Sequence, residues 1–341
     1  MNSALGYTCS VISDSAKLNP DCLAESVEKI PIRRGFGEGL REAGKKNSQV
    51  VALCADLTDS TMMNLFRDEF PERFIEVGVA EQNLAAVASG MAAMGKLPVI
   101  SSYAMFSPGR NWEQIRTTIA YNDRPVVIAG SHAGVSVGPD GGTHQAVEDI
   151  AITRVIPNMV VLSPCDAIEA RKAVLAALEL GKPVYLRLAR EKTPVITTED
   201  TPFEIGRAEV FWEPEGGAAE VGIVATGALV YHALLAAQKL GEKGIKAKVL
   251  NFHTIKPIDA DALVSLAKET GAIVTVEEHQ IAGGFGSAVA EVLAANVPAP
   301  IEFIGVQNRF GQSGKPDELI ELYGMGEKSI IEAAEKVVSR K

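Results

Sequence analysis

Glu81 is the acid whose setting in this sequence points most directly to chemistry. It lies in the run FIEVGVAEQN, residues 74–83, and the helix predicted at 81–94 is built almost entirely from small or apolar side chains. A carboxylate beside such a segment is poorly solvated unless a specific group pairs with it, so it suits acid–base chemistry. For Glu81 taken alone, the simpler alternative is that it begins a helix, where the dipole favours an anion.

A glycine-rich loop at residues 130–145, which we call the histidine loop, carries the second group of reactive side chains. Its sequence, GSHAGVSVGPDGGTHQ, places His132, Asp140 and His144 among five glycines. Glycine lets the backbone approach a ligand closely, and imidazole can exchange protons near neutral pH or bind phosphate and hydroxyl groups. A metal site is the rival interpretation, but the two histidines stand twelve residues apart with no acid or thiol beside them at ligand spacing.

Further side chains of chemical interest follow predicted strands. They are Asp56, Ser60, Tyr103, Phe106 and Arg190, with Arg34 ahead of the first strand. Open parallel α/β sheets bind their ligands at strand carboxyl ends, so agreement among these loops points to one site. Each residue also has an ordinary structural explanation, because an aspartate can cap a turn, aromatic rings can belong to the core and an arginine can be a solvated charge.

Short apolar runs alternate with helical patterns and predict an α/β fold with two domains, each a mostly parallel sheet flanked by helices. We expect a loosely held N-terminal extension at residues 1–29, a first domain at 30–196 and a second at 203–341, with a polar linker at 197–202. The predicted strands cover residues 50–55, 74–77, 97–101, 126–130, 159–162, 184–188, 221–225, 247–252, 272–277 and 301–306.

Composition narrows the class of protein. The chain has 341 residues, 47% of them hydrophobic, which is enough for two α/β domains with full cores. Its formal net charge of −10 argues against nucleic acid or an anionic membrane as the main partner, so any bound phosphate needs a local basic site. Four scattered cysteines are typical of a reduced, cytoplasmic protein. No apolar run approaches the roughly 20 residues of a membrane span.

Taken together, these motifs resemble the C-terminal half of transketolase, its pyrimidine-binding domain followed by its C-terminal domain, over residues 34–341. The matching segments keep the order and spacing of that family, which makes the combination specific. They are Arg34, ADLTDS (55–60), VAEQN (79–83), YAMF (103–106), His132, DGGTHQ (140–145) and LAR (188–190).

The resemblance implies a thiamine diphosphate site. Glu81 matches the family's glutamate that hydrogen-bonds the aminopyrimidine ring of the cofactor and so promotes removal of a proton from its thiazolium ring. Tyr103 and Phe106 match the aromatic wall against which the aminopyrimidine packs. Asp56 lies where the family has an acid close to the cofactor.

For substrate, the resemblance implies sugar phosphates. His144 and Asp140 match the pair that contacts the carbonyl end and the C2 hydroxyl of the sugar, and His144 joins Glu81 as a predicted catalytic residue. Four residues match the groups that bind the terminal phosphate of the sugar: Arg34, Ser60, His132 and Arg190. The implied reaction transfers a two-carbon ketol unit from a ketose phosphate to an aldose phosphate.

One part of the family's pattern is missing. The Gly-Asp-Gly signature followed by Asn-Asn, which holds Mg²⁺ and the diphosphate, has no counterpart in this sequence. The resemblance therefore implies a split enzyme in which this chain is the C-terminal subunit, inactive alone. Its partner would be an N-terminal subunit carrying Gly-Asp-Gly, in an A2B2 heterotetramer with active sites between chains.

Three alternatives remain open. A 1-deoxyxylulose-5-phosphate synthase has the same domain order and a similar Asp-Gly-x-Thr-His-Gln segment, but it resembles a single long polypeptide without the YAMF context. A beta subunit of a 2-oxo acid dehydrogenase is also split, yet lacks the histidine loop and the phosphate-binding set. The third alternative is a non-catalytic subunit that keeps the fold.

Overall fold

Two large β-sheets flanked by helices organise the chain, and the predicted α/β class is confirmed by a computed structural model that describes residues 10–341. The strands are β1 (Ser10–Ile12), β2 (Lys29–Pro31), β3 (Val50–Cys54), β4 (Phe74–Glu76), β5 (Leu97–Tyr103), β6 (Val127–Ser131), β7 (Val160–Leu162), β8 (Val184–Arg187), β9 (Lys192–Pro194), β10 (Glu209–Pro214), β11 (Val221–Ala225), β12 (Ala247–Asn251), β13 (Thr254–Lys256), β14 (Ile273–Gln280) and β15 (Ile301–Val306).

The α-helices lie between these strands and after the last of them. They are α1 (Ile32–Lys46), α2 (Asn64–Arg67), α3 (Glu81–Ala93), α4 (Trp112–Gln114), α5 (Asp149–Arg154), α6 (Ala167–Leu180), α7 (Val230–Glu242), α8 (Ala260–Thr270), α9 (Phe285–Asn296), α10 (Pro316–Leu322) and α11 (Glu327–Val338). A π-helical turn, Ile115–Ala120, continues α4. Among residues 10–341, no helix combines the length and the apolar character needed to cross a membrane.

The first sheet has seven strands in the order β13-β7-β8-β6-β5-β3-β4. Every neighbouring pair is parallel except β13 with β7. Alternate side chains point to opposite faces, so Ala52 packs with α1 and α6 while Leu53 packs with α3. Because helices cover both faces, β3, β6 and β8 are buried along their whole length and appear in the sequence as continuous apolar runs.

The second sheet has six strands in the order β1-β10-β12-β11-β14-β15. The four predicted strands of this half are parallel, whereas β10 and β1 add to the edge in antiparallel fashion. β13 leaves this half of the chain and pairs with β7, with Thr254 opposite Leu162. The sequence did not predict β1, β10 or β13. β1 and β13 are three-residue strands at sheet edges, which need no long apolar run, and β10 is a mixed apolar and polar segment that is buried only at its centre.

Residues 10–29 are packed against the rest of the chain, the first part of them on the second sheet, which contradicts the expectation of a loosely held extension. β1 pairs with β10, and Ala16 and Cys22 are fully buried in the core of this sheet. The side-chain amide of Asn19 donates to the Val195 carbonyl at 3.0 Å. Such a segment shows little periodicity because it adds to a sheet edge through backbone hydrogen bonds. Residues 1–9 lie outside the described part of the chain.

The stretch predicted as a polar linker, residues 197–202, is also anchored. The buried Asp166 carboxylate accepts hydrogen bonds from the Ile196 N–H at 2.9 Å, the Thr197 N–H at 2.6 Å and the Thr197 hydroxyl at 2.8 Å. The same carboxylate accepts from the Glu169 N–H at 2.9 Å and so caps the start of α6. One buried acid therefore joins this helix to the segment between the two sheets.

We expect Asp166→Asn to lower the free energy of unfolding by about 2–4 kcal/mol, because the new amide NH₂ would face N–H donors that lose their acceptor. Chemical denaturation at neutral pH measures the change. Asp200→Asn, at an exposed position of the same stretch, is the matched control and should change stability by less than about 0.5 kcal/mol. Equal stability of the two variants would contradict the anchoring role of Asp166.

Candidate functional site

Four parallel strands of the first sheet bring their carboxyl ends to one edge. Asp56 follows β3, Tyr103 ends β5, His132 follows β6 and Arg190 follows β8 by a short turn. Because β3, β5, β6 and β8 run in the same direction, the turns after them lie at the same edge. Side chains selected from separate loops of the sequence therefore come from one edge of the sheet.

Glu81 is buried and paired with a cation. Its side chain is 4% exposed and it is the first residue of α3. Arg110 Nη1 lies 3.2 Å from each of the two carboxylate oxygens, and Asn111 Nδ2 donates to the Glu81 carbonyl at 3.0 Å. Arg110 is not among the residues predicted from the sequence, where its one signal is its position four residues after Phe106.

The rings of Tyr103, Phe106, His132 and His144 form what we call the aromatic cluster. The centroids of Tyr103 and Phe106 lie 6.2 Å apart with the ring planes at 17°. Tyr103 stacks on His132 at 3.9 Å, and His144 meets Phe106 edge-on at 5.4 Å. The Arg110 guanidinium carbon lies 4.3 Å from the Phe106 centroid and links this cluster to Glu81. Residues predicted for cofactor and for substrate thus meet in one cluster.

His132 is held uncharged within this cluster. The residue is 2% exposed and has a positive φ of 55°, and its Nδ1 lies 2.9 Å from the Ser131 hydroxyl. Burial, together with the charges of Arg33, Arg190 and His144, lowers the pKa of His132 to about 3. An anion bound among these groups would offset the repulsion and raise that pKa.

Arg33 faces the site, whereas Arg34 does not. Arg34 is 60% exposed and its Nε donates to Glu38, one helical turn along, at 2.9 Å. The structure therefore contradicts the phosphate-binding role predicted for Arg34. Arg33 donates instead to the backbone carbonyls of Ser60 at 2.5 Å and Arg190 at 3.2 Å. Consecutive residues of an α-helix point about 100° apart, so α1 directs only one of the two arginines to the sheet edge.

We call Arg33, Arg190, His132 and Ser60 the basic cluster. Burial lowers the pKa of Arg33, and the charge of Arg190 lowers it further, while nearby Glu191 opposes this. Arg190 Nη1 also pairs with Glu191 at 3.2 Å. The guanidinium group of Arg190 is near enough to lower the pKa of Arg33. An anion between the two groups is favoured, because charge-assisted hydrogen bonds replace their mutual repulsion.

Asp56 and Asp140 are less closely integrated than the other predicted residues. The Asp56 side chain is exposed, its φ is 59°, and its N–H donates to the Glu76 carboxylate at 2.7 Å. Asp140 is exposed at the end of the short helical turn Val135–Asp140. Over residues 10–341, no set of three or more His, Cys, Asp or Glu side chains is placed to hold a metal ion.

The second sheet and its neighbouring loops hold the histidine loop in place. The Glu278 carboxylate, on β14, accepts from the Ser136 N–H at 2.6 Å and from the Ser136 hydroxyl at 3.2 Å. Gln145 Nε2 donates to the carbonyls of Val135 and Gln312, each at 2.9 Å. Glu278 is therefore a positioning residue of the site, and no motif around it in the sequence would have identified it.

The low pKa of His132 predicts a pH dependence of stability. In the unfolded chain His132 takes up a proton at its ordinary pKa of 6.5, whereas in the native chain its pKa is about 3. The unfolded state therefore binds more protons between these values. Stability falls as the pH is lowered through this window, by at most about 1.4 kcal/mol per pH unit for this group.

His132→Gln should remove this share of the dependence, and urea unfolding at about pH 7, 6 and 5 measures it. Other buried histidines contribute to the parent and to the variant alike, so the difference between the two slopes isolates His132. Identical slopes would mean that His132 is not held neutral.

Two family models match the chain. The model of the transketolase pyrimidine binding domain matches residues 28–195, and the model of the transketolase C-terminal domain matches residues 212–330. The first match includes every residue of the aromatic and basic clusters, and the second includes Glu278.

Two relatives and one solved structure are similar to this chain over nearly their whole length. The "6-deoxy-6-sulfo-D-fructose transketolase subunit SqwH" of Clostridium sp. (strain MSTE9) is 41% identical over 315 residues, 92% of this chain and 97% of that protein. A subunit of the apulose-4-phosphate transketolase of Phocaeicola vulgatus is 36% identical over 312 residues, 91% of this chain and 98% of that protein. A solved structure described as "Split gene transketolase, inactive beta4 tetramer" has a TM-score of 0.84 at 43% identity and covers 91% of this chain and 99% of its own.

Proposed function

Because the chain belongs to the transketolase family, we propose that it is the C-terminal subunit of a split, thiamine diphosphate-dependent transketolase. The assembled enzyme would transfer a two-carbon ketol unit from a ketose phosphate to an aldose phosphate. The observation that carries this proposal is the continuity of the site from buried Glu81, through the aromatic cluster, to the basic cluster, which shares His132 with it. One end suits a planar aromatic ring and the other suits an anion.

The residues around Glu81 fit the pyrimidine part of thiamine diphosphate. A nearly buried carboxyl group can share a proton with a ring nitrogen away from water, and Tyr103 and Phe106 offer ring faces for stacking. When bound, the cofactor supplies the electron sink for breaking and forming the carbon–carbon bond beside the sugar carbonyl. Glu81 would hold the proton that it shares with the ring, and Asp56 is proposed to lie close to the cofactor.

The basic cluster would bind the terminal phosphate of the substrate. Arg33 and Arg190 supply charge-assisted hydrogen bonds that offset locally the net charge of −10. His144 and Asp140 are proposed to contact hydroxyl groups near the sugar carbonyl. A sugar sulfonate is the second candidate, because a relative 41% identical is named for 6-deoxy-6-sulfo-D-fructose and a sulfonate is also an anion with three terminal oxygens.

The diphosphate and Mg²⁺ are proposed to be held mainly by an N-terminal subunit that carries Gly-Asp-Gly, in an assembly of two copies of each subunit. Two relatives that match over nearly their full length are named as transketolase subunits. The solved structure at 43% identity is described as an inactive tetramer of beta chains. These names support a chain that is inactive until it meets its partner.

Mixing the chain with such an N-terminal subunit, thiamine diphosphate and Mg²⁺ should give ketol transfer from xylulose 5-phosphate to ribose 5-phosphate. Glu81→Gln should lower kcat by about 100-fold or more, because the amide cannot share a proton with the ring in the same way. Glu72→Gln, at an exposed acid, is the matched control. Near-normal transfer by Glu81→Gln would exclude the role of Glu81, and an assembled parent complex without transfer would exclude the function.

The two neighbouring arginines give a second test, on substrate binding. Arg33→Ala should raise the KM for the ketose phosphate by about 10- to 100-fold, because a charge-assisted contact is worth about 1.5–3 kcal/mol. Arg34→Ala should change it by less than about twofold, since an exposed ion pair contributes little. The same KM measured with an unphosphorylated ketose should not respond to Arg33→Ala. A larger effect at Arg34 would reverse this assignment, and preference for a sulfonated donor would favour the second candidate.

A further inference from the structure

Arg110 occupies the corner between Glu81 and the aromatic cluster. Its Nη1 lies 3.2 Å from both carboxylate oxygens of Glu81, and its guanidinium carbon lies 4.3 Å from the centroid of Phe106. The Arg110 side chain is 51% exposed, whereas the carboxylate beneath it is nearly buried. The guanidinium therefore stands between Glu81 and the solvent.

The contacts of this guanidinium are those that an aminopyrimidine ring would need. Both groups are planar, both present nitrogen atoms that can hydrogen-bond a carboxylate at their edge, and both can lie on the face of an aromatic ring. A ring that bonds Glu81 and packs on Phe106 would have to enter the corner that Arg110 now fills. The two cannot make these contacts at the same time, because Arg110 already occupies both carboxylate oxygens of Glu81.

The structure around Arg110 allows its side chain to leave without moving the backbone. The Arg110 N–H donates to the Phe106 carbonyl at 2.9 Å, and the next residue, Asn111, is fixed by its amide to the Glu81 carbonyl and to the Ser107 hydroxyl at 3.1 Å. Within residues 10–341, Glu81 is the acid with which the Arg110 guanidinium forms an ion pair. Because the Arg110 guanidinium is half exposed, water can solvate it when a competing ligand takes its place beside Glu81.

We propose that Arg110 is a displaceable occupant of the cofactor corner: it imitates the aminopyrimidine in the free chain and swings out when thiamine diphosphate binds. This inference rests on the proposed function and adds to it a residue that controls access to Glu81. In this scheme Arg110 takes no part in the reaction itself. It acts by covering Glu81 and the Phe106 ring until the cofactor binds.

The test measures how tightly the full chain, without a partner subunit, binds an uncharged aminopyrimidine. The probe is the pyrimidine alcohol that remains when the thiazolium ring of thiamine is removed. Arg110→Ala should bind this probe about 3- to 10-fold more tightly than the parent, which is the range expected for the loss of a partly exposed competing ion pair. Arg340→Ala is the matched control, because Arg340 is also about half exposed and also pairs with a largely buried acid, Glu302. Its affinity for the probe should equal that of the parent.

Arg110→Lys separates charge from shape. Lysine keeps the positive charge but has neither the planar fork nor the flat face, so this variant should also bind the probe more tightly than the parent. Added methylguanidinium should compete with the probe in Arg110→Ala and have little effect on the parent, in which the corner is already filled. This competition is a readout that a purely structural role would not change, and thermal unfolding of each variant confirms that it is folded.

The proposal would be overturned if Arg110→Ala bound the probe no more tightly than the parent. It would also be overturned if neither protein bound the probe, or if methylguanidinium did not compete with the probe in Arg110→Ala. These outcomes are independent of the reaction assay. If ketol transfer in the assembled complex depends on Glu81 but the affinity for the probe is the same in Arg110→Ala and the parent, the proposed function stands and this inference fails. If the assembled parent complex shows no ketol transfer, the proposed function fails whatever the probe shows for Arg110.

Discussion

The common direction of β3, β5, β6 and β8 is the constraint on which the rest of this structure depends. Parallel neighbours place all their carboxyl ends at one edge, so each strand adds its following turn to the same place. Helices then have to cover both faces, with α1 and α6 on one and α3 on the other. The side chains of Arg33 on α1 and Glu81 on α3 reach the edge because each lies at the start of its helix.

A buried ion pair fixes the second half of the chain against this edge. Arg187 Nε lies 2.8 Å from Asp149 Oδ2, and Arg187 Nη2 donates to the Glu278 carbonyl at 2.8 Å. Burial raises the pKa of Glu278, Arg187 opposes that rise, and the Glu278 carboxylate in turn holds Ser136 of the histidine loop. Removing one member of such a network leaves another charge buried and unpaired. The histidine loop and the second sheet are therefore positioned together.

The two ends of the site differ in charge balance, although the chain as a whole is acidic. At Glu81 the buried carboxylate has a cation beside it, so that end is compensated within the chain. At the basic cluster, two arginines and a neutral His132 lie close together, and burial, followed by repulsion from the charge of Arg190, lowers the pKa values of Arg33 and His132. An anion is the simplest group that relieves this repulsion. The division suits a ligand that is aromatic at one end of the site and anionic at the other.

The sequence by itself determined the α/β class, the strands that are continuous apolar runs, and the set of loops that carry the site. These features depend on local patterns, because a strand covered on both faces needs apolar residues throughout and its following turn then lies at a known edge. The edge strands β1 and β13 were not predicted, since backbone hydrogen bonds to one neighbour hold them and require no side-chain pattern.

Only the tertiary structure decided which side chains face one another. Arg33 and Arg34 are adjacent and identical in type, and it is the rotation of α1 against the sheet that turns Arg33 inward and leaves Arg34 with Glu38. Arg110 and Glu278 lie far along the chain from the groups they hold, so no local pattern announces them. The type and spacing of residues depend on neighbours in the chain, whereas pairing, burial and charge balance depend on neighbours in space.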